Sequence, residues 1–170
     1  ANIRPFTGDR LLAHDPWAMD ALFAEQLLAL VDEGPDTVVE LGSGHSTILI
    51  ARRLEAIGRG RVYAVDHLAD YAARTRDWIA REGLAHRATV IHAPIEERTV
   101  EGRTLPWYAQ APLDEALPAA IDLLVVDGPP DLLHKDIRWP AVPVLRARLA
   151  PGATVLMDDG DRPHERRAAF

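Results

Sequence analysis

Two short motifs in this chain carry the residue types of a nucleotide-binding site. An apolar segment, residues 37–41, runs into a turn that contains Gly42, Ser43 and Gly44, and Asp66 ends a second apolar segment further on. Glycine lets a ligand approach the backbone without meeting a β-carbon. An acidic residue about 20 positions after such a turn suits the two hydroxyls of a ribose. The two motifs together predict an adenosine-binding site on an α/β scaffold.

The residues around the turn distinguish two kinds of adenosine ligand. A dinucleotide fingerprint requires a third glycine where this chain has Thr47. Glu40 stands just before the turn, where a carboxylate would repel a pyrophosphate and attract a cation. S-adenosylmethionine carries an ammonium and a sulfonium and no phosphate, so both residues favour it. A NAD-type oxidoreductase, and a strand-to-helix turn that binds no ligand, are the alternatives that this motif leaves open.

Acidic residues recur where the predicted strands end. Ligands of parallel α/β sheets bind at the carboxyl ends of the strands, so side chains at these ends would open on one crevice. One such aspartate can equally be a helix cap, but a shared crevice explains the whole set better. A crevice lined with carboxylates would bind a cationic cofactor, a metal ion, or both. The residues at the strand ends are Glu40, Asp66, His92, Asp127 and the pair Asp158 and Asp159.

The elements that must position these residues alternate between apolar strands and helices. This alternation predicts an α/β fold, a doubly wound parallel sheet with helices on both faces. One domain is predicted over residues 1–170, with an irregular N-terminal segment at 1–15. Residues 94–117 show the least pattern, and Trp107 and Tyr108 within them are interpreted as a local hydrophobic anchor. Strands are predicted at 37–41, 61–66, 89–92, 121–126 and 153–157, and helices at 16–31, 46–57, 71–82 and 142–149.

Composition narrows the class of partner. The net charge of -7 argues against nucleic acid, because affinity for phosphate backbones depends on a basic surface. Arginines at 52, 53, 59 and 61 cluster, but acids interrupt them, so a solvated helix face is predicted. No apolar run approaches the roughly 20 residues of a membrane span, and no signal core is seen, so the cytoplasm is the expected compartment. The chain has no cysteine, which excludes thiolate chemistry. A homo-oligomer is compatible with the sequence.

With these residues in view, the chain resembles the class I S-adenosylmethionine-dependent methyltransferases. Within that class it is similar to a branch of small-molecule methyltransferases with an Asp-Gly-Pro-Pro turn and an Asp-Asp-x-x-Arg ending. The resemblance spans residues 17–168 and implies a Rossmann-like sheet of strand order 3-2-1-4-5. The family fold continues with a C-terminal antiparallel hairpin, which a chain ending at Phe170 is expected to lack. The segments that carry the resemblance are residues 40–47, 65–66, 91–94, 127–130, 138–141 and 158–162.

The resemblance also implies roles for individual residues. The glycine turn would pass under the methionine portion of the cofactor, with Glu40 near its ammonium. Ser46 would lie at a helix N-terminus, Asp66 would bind the ribose, and His67 would lie beside the adenine. Ala93 and Pro94 would form part of the adenine pocket. The implied cofactor-binding residues are Glu40, Gly42, Ser43, Gly44, Ser46, Asp66, His67, Ala93, Pro94 and Asp127.

Methyl transfer needs alignment of the reactants and activation of the acceptor. In the metal-dependent O-methyltransferases, carboxylates after the fourth and fifth strands hold magnesium, which lowers the pKa of the acceptor hydroxyl. Asp127, Asp158 and Asp159 match those positions, although Arg162 could instead pair with either of the last two. Without a metal, Asp127 would orient the cofactor and His134 would be the general base.

The predicted function is therefore transfer of a methyl group to a small-molecule hydroxyl, with magnesium as an optional cofactor. A non-catalytic protein that keeps the adenosine-cofactor pocket is the main alternative. The glycine turn and the carboxylates oppose that alternative, and the expected loss of the hairpin favours it.

Overall fold

The computed structural model describes residues 21–158. Strands and helices alternate along most of this range, as the sequence predicts. In chain order the elements are α1 (Ala21–Asp32), β1 (Thr37–Leu41), α2 (His45–Ile57), β2 (Arg61–Asp66), α3 (Ala69–Arg81), β3 (Ala88–His92), β4 (Ile95–Val100), β5 (Arg103–Tyr108), α4 (Gln110–Ala116), β6 (Ile121–Val126), α5 (Ala141–Leu145), a 3-10 turn (Arg146–Arg148) and β7 (Leu149–Met157).

Five of the strands form a parallel sheet in the order β3-β2-β1-β6-β7. Because β6 and β7 are the fourth and fifth strands predicted from the sequence, the predicted order 3-2-1-4-5 is confirmed. The order reverses between β1 and β6, which is where ligands of such sheets bind. The predicted start of the first helix, near residue 16, lies outside the described residues. The single-domain assignment stays a prediction.

Both faces of the sheet are covered, which explains why its central strands β1 and β6 are mostly apolar. Val38 of β1 packs in a core cluster with α1, α2 and α3. Val39 and Leu41 point to the opposite face, into a second cluster that includes Trp107, Tyr108 and residues of α4 and α5. Alternate residues of β1 therefore pack into two different core clusters, one on each face of the sheet. This packing fixes the position of the strand end.

Two glycines, Gly58 and Gly60, shape the connection between α2 and β2. The N–H of Gly58, in the left-handed conformation, donates to the carbonyl of Leu54 at 2.9 Å and closes α2. A β-carbon on Gly60 would lie 2.4 Å from the carbonyl oxygen of Pro35, so this position admits only glycine. The chain can thus pass from α2 into β2 beside the start of β1.

Arg52 and Arg53 lie on α2 and are ion-paired, but the predicted helix face does not extend to Arg61, which is half-buried in β2 and bonds to Thr89. Arg52 pairs with Glu82 at 2.7 Å, and Arg53 pairs with Asp32. Arg59 pairs with Asp36 at 2.7 Å. None of the helices within residues 21–158 is long and apolar enough to cross a membrane.

The segment with the least sequence pattern holds an antiparallel hairpin, β4–β5, followed by α4. Ile95 pairs with Tyr108 and Val100 with Arg103, and the N–H of Ala109 donates to the carbonyl of Pro94 at 2.8 Å. This hairpin lies between β3 and β6 in the chain, so it is not the C-terminal hairpin of the resemblance. Its residues place Trp107 and Tyr108 fully inside the second core cluster.

The last strand is longer than predicted. It begins at Leu149 rather than at residue 153, because a register shift lets the chain pass through Pro151 and Gly152 and resume pairing with β6. Gly152 has a φ of 81°, which suits such an irregularity.

Candidate functional site

The carboxyl ends of the parallel strands bring the predicted acidic residues to one edge of the sheet. The turn residues after the strands continue the backbone ladder. Gly42 N–H donates to Val65 at 2.8 Å, Asp127 N–H donates to Leu41 at 3.0 Å, and Asp158 N–H donates to Val126 at 2.9 Å. Glu40, Asp66, Asp127 and Asp158 therefore share the edge at which the strand order reverses, as the sequence predicts.

The turn after β1 has a backbone that only glycine adopts easily. Gly42 has a φ of 110° and Gly44 a φ of 144°. A β-carbon on Gly44 would meet no atom within 4 Å, so the surface above this residue is open. A β-carbon on Gly128 would lie 3.2 Å from Gly42 Cα, so the turns after β1 and β6 nearly touch. Because glycine has no β-carbon, a ligand could approach the backbone of this turn closely.

Thr47, the residue that replaces the third glycine of a dinucleotide fingerprint, ties the turn to Glu40. Its Oγ1 donates to Glu40 Oε2 at 2.5 Å and accepts the N–H of Gly44 at 3.0 Å. All three groups lie on the first turn of α2 or at the end of β1, and both Thr47 and Glu40 are fully buried. The hydroxyl therefore fixes both the carboxylate and the glycine turn.

Glu40 is a buried carboxyl group with one oxygen left over. Burial raises its pKa to about 7, with a smaller contribution from Asp66 in the same direction, while the hydroxyls of Ser46 and Thr47 oppose the shift. Its Oε1 has no hydrogen-bond partner among residues 21–158. A buried polar atom without a partner is uncommon in a native fold and points to a bound group. A cation with N–H groups would both donate a hydrogen bond to this oxygen and favour the ionised carboxylate.

Asp66, the residue predicted to bind the ribose, lies beside the glycine turn. Its Oδ2 accepts the hydroxyl of Ser43 at 2.6 Å, and its Oδ1 accepts the N–H of Leu68 at 2.9 Å. Ser43 Oγ is also 3.2 Å from Thr75 Oγ1, on α3. These bonds orient the carboxylate and leave each oxygen with a further lone pair for a ligand hydroxyl.

The residues predicted to surround an adenine lie next to Asp66. His67 follows it directly and is half-buried; burial lowers the pKa of its ring, with Asp66 opposing and His92 reinforcing that shift. A neutral imidazole can lie against a base without presenting a charge. Ala93 is fully buried and its N–H donates to the carbonyl of Asp66 at 2.9 Å, whereas Pro94 is exposed. Their contact with adenine stays a prediction.

On the other side of β1, Asp127 and Asp158 form a hydrogen-bonded carboxyl pair. Burial raises the pKa of Asp127 to about 8, the charge and hydrogen bond of Asp158 add to the shift, and Glu40 raises it further. Arg138 opposes it, with Nη2 4.0 Å from Asp127 Oδ1. Two buried carboxyl groups that share a hydrogen bond hold one proton between them near neutral pH.

Arg138, to which the sequence analysis assigned no role, holds this part of the site together. It is almost fully buried and donates to the carbonyls of Asp127 at 2.8 Å, Pro129 at 3.3 Å and Asp158 at 3.2 Å. It supplies charge compensation near the pair for which the sequence analysis considered Arg162, which lies outside the described residues. The sequence indicated Arg138 only as part of residues 138–141, one of the segments that carry the family resemblance.

The other predicted residues lie at different distances from this centre. Ser46, on the first turn of α2, is nearly buried close to Glu40. His134 is exposed on the loop between β6 and α5, where its Nδ1 accepts the N–H of Asp136 at 3.1 Å. Its part as a general base stays a prediction. Asp159 lies outside the described residues, and among residues 21–158 no group of three or more His, Asp or Glu side chains is arranged to hold a metal ion.

Sequence reasoning gave Tyr108 no part in the site, yet its hydroxyl lies there. It would be 3.0 Å from a β-carbon on Gly128, so it packs where the two turns meet. Burial raises the pKa of Tyr108 well above its usual range; the charges of Asp66, Asp127 and Glu40 add to this shift, and Arg138 opposes it. The hairpin that carries Tyr108 gave too weak a sequence pattern to place it.

Comparisons with known proteins agree with this geometry. A family model described as a methyltransferase domain matches residues 39–160. A search of curated protein sequences gives no significant match.

Several solved structures share the fold. The methyltransferase PaMTH1 of Podospora anserina, solved with S-adenosylhomocysteine, is 18% identical, with a TM-score of 0.64 over 85% of this chain and 56% of that one. The O-methyltransferase TomG of Streptomyces achromogenes, solved with S-adenosylmethionine, is 22% identical, with a TM-score of 0.57 over 89% and 66%. An O-methyltransferase of Bacillus cereus, solved with S-adenosylhomocysteine, is 22% identical, with a TM-score of 0.60 over 88% and 61%. The chain thus spans less than two thirds of the length of each of these proteins.

Proposed function

The chain belongs to the methyltransferase domain family, and from that premise we propose that it binds S-adenosylmethionine and methylates a hydroxyl oxygen of a small molecule. One observation carries the choice of cofactor. Thr47 occupies the third glycine position and bonds to a buried Glu40, whose Oε1 has no partner within the described residues. That arrangement suits a cationic ligand and opposes a pyrophosphate.

The residues of the crevice fit this cofactor. Asp66, oriented by Ser43 and the N–H of Leu68, would accept both ribose hydroxyls. Glu40 Oε1 would accept from the ammonium of the methionine end, above the open surface of Gly44. When bound, S-adenosylmethionine supplies an electrophilic methyl group on a sulfonium. The chain aligns that group between fixed strand ends, which is the main task in an in-line displacement.

The acceptor is proposed from charge and from similar proteins. A net charge of -7 disfavours nucleic acid, and two similar structures are O-methyltransferases. The proton of an acceptor hydroxyl would pass to Asp127 in those molecules in which this carboxyl group has lost its own proton, since a carboxylate with a pKa raised to about 8 is a stronger base than an ordinary aspartate. His134 is the second candidate for this step, from its position on the loop after β6.

Magnesium assistance fits the described residues poorly. Asp127 and Asp158 are hydrogen-bonded to each other, and the buried guanidinium of Arg138 already lies beside Asp127. A cation would have to displace the shared proton and stand next to that positive charge. No step of the proposed reaction therefore passes through a metal.

An assay of methyl transfer tests the proposal. Purified full chain would be incubated with S-adenosylmethionine carrying a labelled methyl group and a panel of catechols, phenols and sugars. We expect label on at least one hydroxyl oxygen. Binding of the cofactor without turnover of any acceptor would favour the non-catalytic alternative. Binding of NADH in its place would favour the oxidoreductase.

A further inference from the structure

We infer that the hydroxyl of Tyr108 is a cofactor-binding group that contacts the methionine half of the ligand at the meeting point of the turns after β1 and β6. This inference rests on the proposed function and deepens it. Tyr108 lies outside all the motifs that carry the cofactor prediction, in a hairpin that the sequence analysis did not recognise.

Rigid packing aims the hydroxyl at one place. Tyr108 is fully buried, and the ring of Trp107 packs edge-on against it with a centroid distance of 5.1 Å. Pairing of Tyr108 with Ile95 holds its backbone at the base of the hairpin. The side chain has therefore little freedom to turn towards another partner.

The hydroxyl is buried without a hydrogen-bond partner among the described residues. A tyrosine O–H in this position normally finds a partner, because leaving it unpaired is destabilising. The same is true of Glu40 Oε1, which contributes to the electrostatic environment of this hydroxyl. The Tyr108 hydroxyl and Glu40 Oε1 thus both lack a partner at one crevice, which indicates that a bound ligand forms a hydrogen bond with each.

The position along the sheet selects the methionine half. Asp66 at the end of β2 marks the ribose side, and Ala93 after β3 marks the adenine side. The Tyr108 hydroxyl lies close to Gly128, which in turn lies close to Gly42, on the β1–β6 side of Asp66. Because the Tyr108 hydroxyl and Glu40 Oε1 are both buried, we expect ligand binding to require a slight separation of the two turns.

The test compares Tyr108→Phe with wild type in calorimetric titrations. S-adenosylhomocysteine contains the methionine half, and 5′-methylthioadenosine lacks its amino-acid end. We expect affinity for S-adenosylhomocysteine to fall about threefold to tenfold, as for loss of one hydrogen bond, and affinity for 5′-methylthioadenosine to fall less. Tyr63→Phe, which removes the hydroxyl of a half-buried tyrosine within β2, is the matched control and should change neither.

Thermal unfolding of the unliganded variants provides the second readout. Removing an unpaired buried hydroxyl should leave the Tm of Tyr108→Phe unchanged or raise it. Unchanged affinity for S-adenosylhomocysteine would overturn the inference, as would a lower Tm or an equal loss for both ligands. Failure of wild type to bind S-adenosylhomocysteine would instead contradict the proposed function itself.

Discussion

The hydroxyl of Thr47 donates to the carboxylate of Glu40 at 2.5 Å and accepts the N–H of Gly44 at 3.0 Å. One side chain thus fixes both the charge and the glycine turn of the site. In a dinucleotide-binding protein a glycine occupies this position so that the helix can approach the strand. Here Thr47 occupies this position and holds the carboxylate of Glu40 in place, which fits a cationic ligand.

Thr47→Val should test this contact. The valine keeps the shape and removes the hydroxyl, so Glu40 and the N–H of Gly44 both lose a buried partner. We expect the free energy of unfolding to fall by about 1–3 kcal/mol, measured by denaturant titration. Thr99→Val is the control, because Thr99 bonds to Thr104 on the exposed face of the hairpin. An equal loss of unfolding free energy in the two variants would show that the buried contact of Thr47 stabilises the protein no more than an exposed one.

Asp66→Asn should weaken the binding of S-adenosylhomocysteine by about 1.5–3 kcal/mol, because a charged acceptor of two ribose hydroxyls is lost. Calorimetry measures the change. The matched control is Asp122→Asn, since Asp122 also accepts backbone N–H groups, from residues 36 and 37, but lies at the opposite edge of the sheet. If Asp122→Asn reduced affinity as much, the loss would reflect stability and not ribose binding.

The raised pKa of Glu40 makes a signed prediction about pH. Folding raises the pKa of the Glu40 carboxyl group from 4.5 to about 7. The folded protein therefore binds this proton more tightly than the unfolded chain does, and the protonated carboxyl group favours folding. That stability is fully present below about pH 4.5 and is lost as the pH rises to about 7. Relative to Glu40→Gln, wild type should lose about 3 kcal/mol across this window, measured by denaturant titration at several pH values. A constant difference between the two proteins would contradict an ionisable, buried Glu40.

The ligand should reverse this pH effect. Because the ammonium favours the ionised carboxylate, affinity for S-adenosylhomocysteine should fall as the pH drops below about 7. Glu40→Gln should bind more weakly and should lack that pH dependence. Calorimetry of both proteins at pH 6 and pH 8 would show it, and parallel pH profiles would assign the titration to another group.

Methyl transfer should survive a chelator. The described carboxylates at this edge share a proton beside Arg138, so we expect added EDTA to leave the rate unchanged and Asp127→Asn to lower it. Loss of activity with EDTA that magnesium restores would show that Asp127 and Asp158 hold a metal ion after all.

Much of the scaffold followed from the sequence because its strands are buried on both faces. The bounds of β1, β2 and β6 were predicted correctly, since continuous apolar runs between turn residues leave few alternatives. The shared edge of Glu40, Asp66 and Asp127 then followed from the rules of parallel sheets. Local pattern and topology agree in this part of the chain.

The hairpin β4–β5 was missed for physical reasons. Its strands are short, only one residue of β4 is buried, and Pro106 within β5 argues against a strand. The available signal was the turn, where Glu101 has a φ of 48° and Gly102 a φ of 79°, as in a two-residue hairpin loop. The burial of Tyr108 depends on packing across the sheet, which no local pattern contains.

A calorimetric titration of the full chain with S-adenosylhomocysteine, with NADH in a parallel cell, tests the central claim most directly. The arrangement of Glu40, Thr47 and Asp66 predicts saturable binding of one S-adenosylhomocysteine per chain and no binding of NADH. A folded protein that binds NADH, or that releases no heat with S-adenosylhomocysteine at millimolar concentration, would contradict the claim.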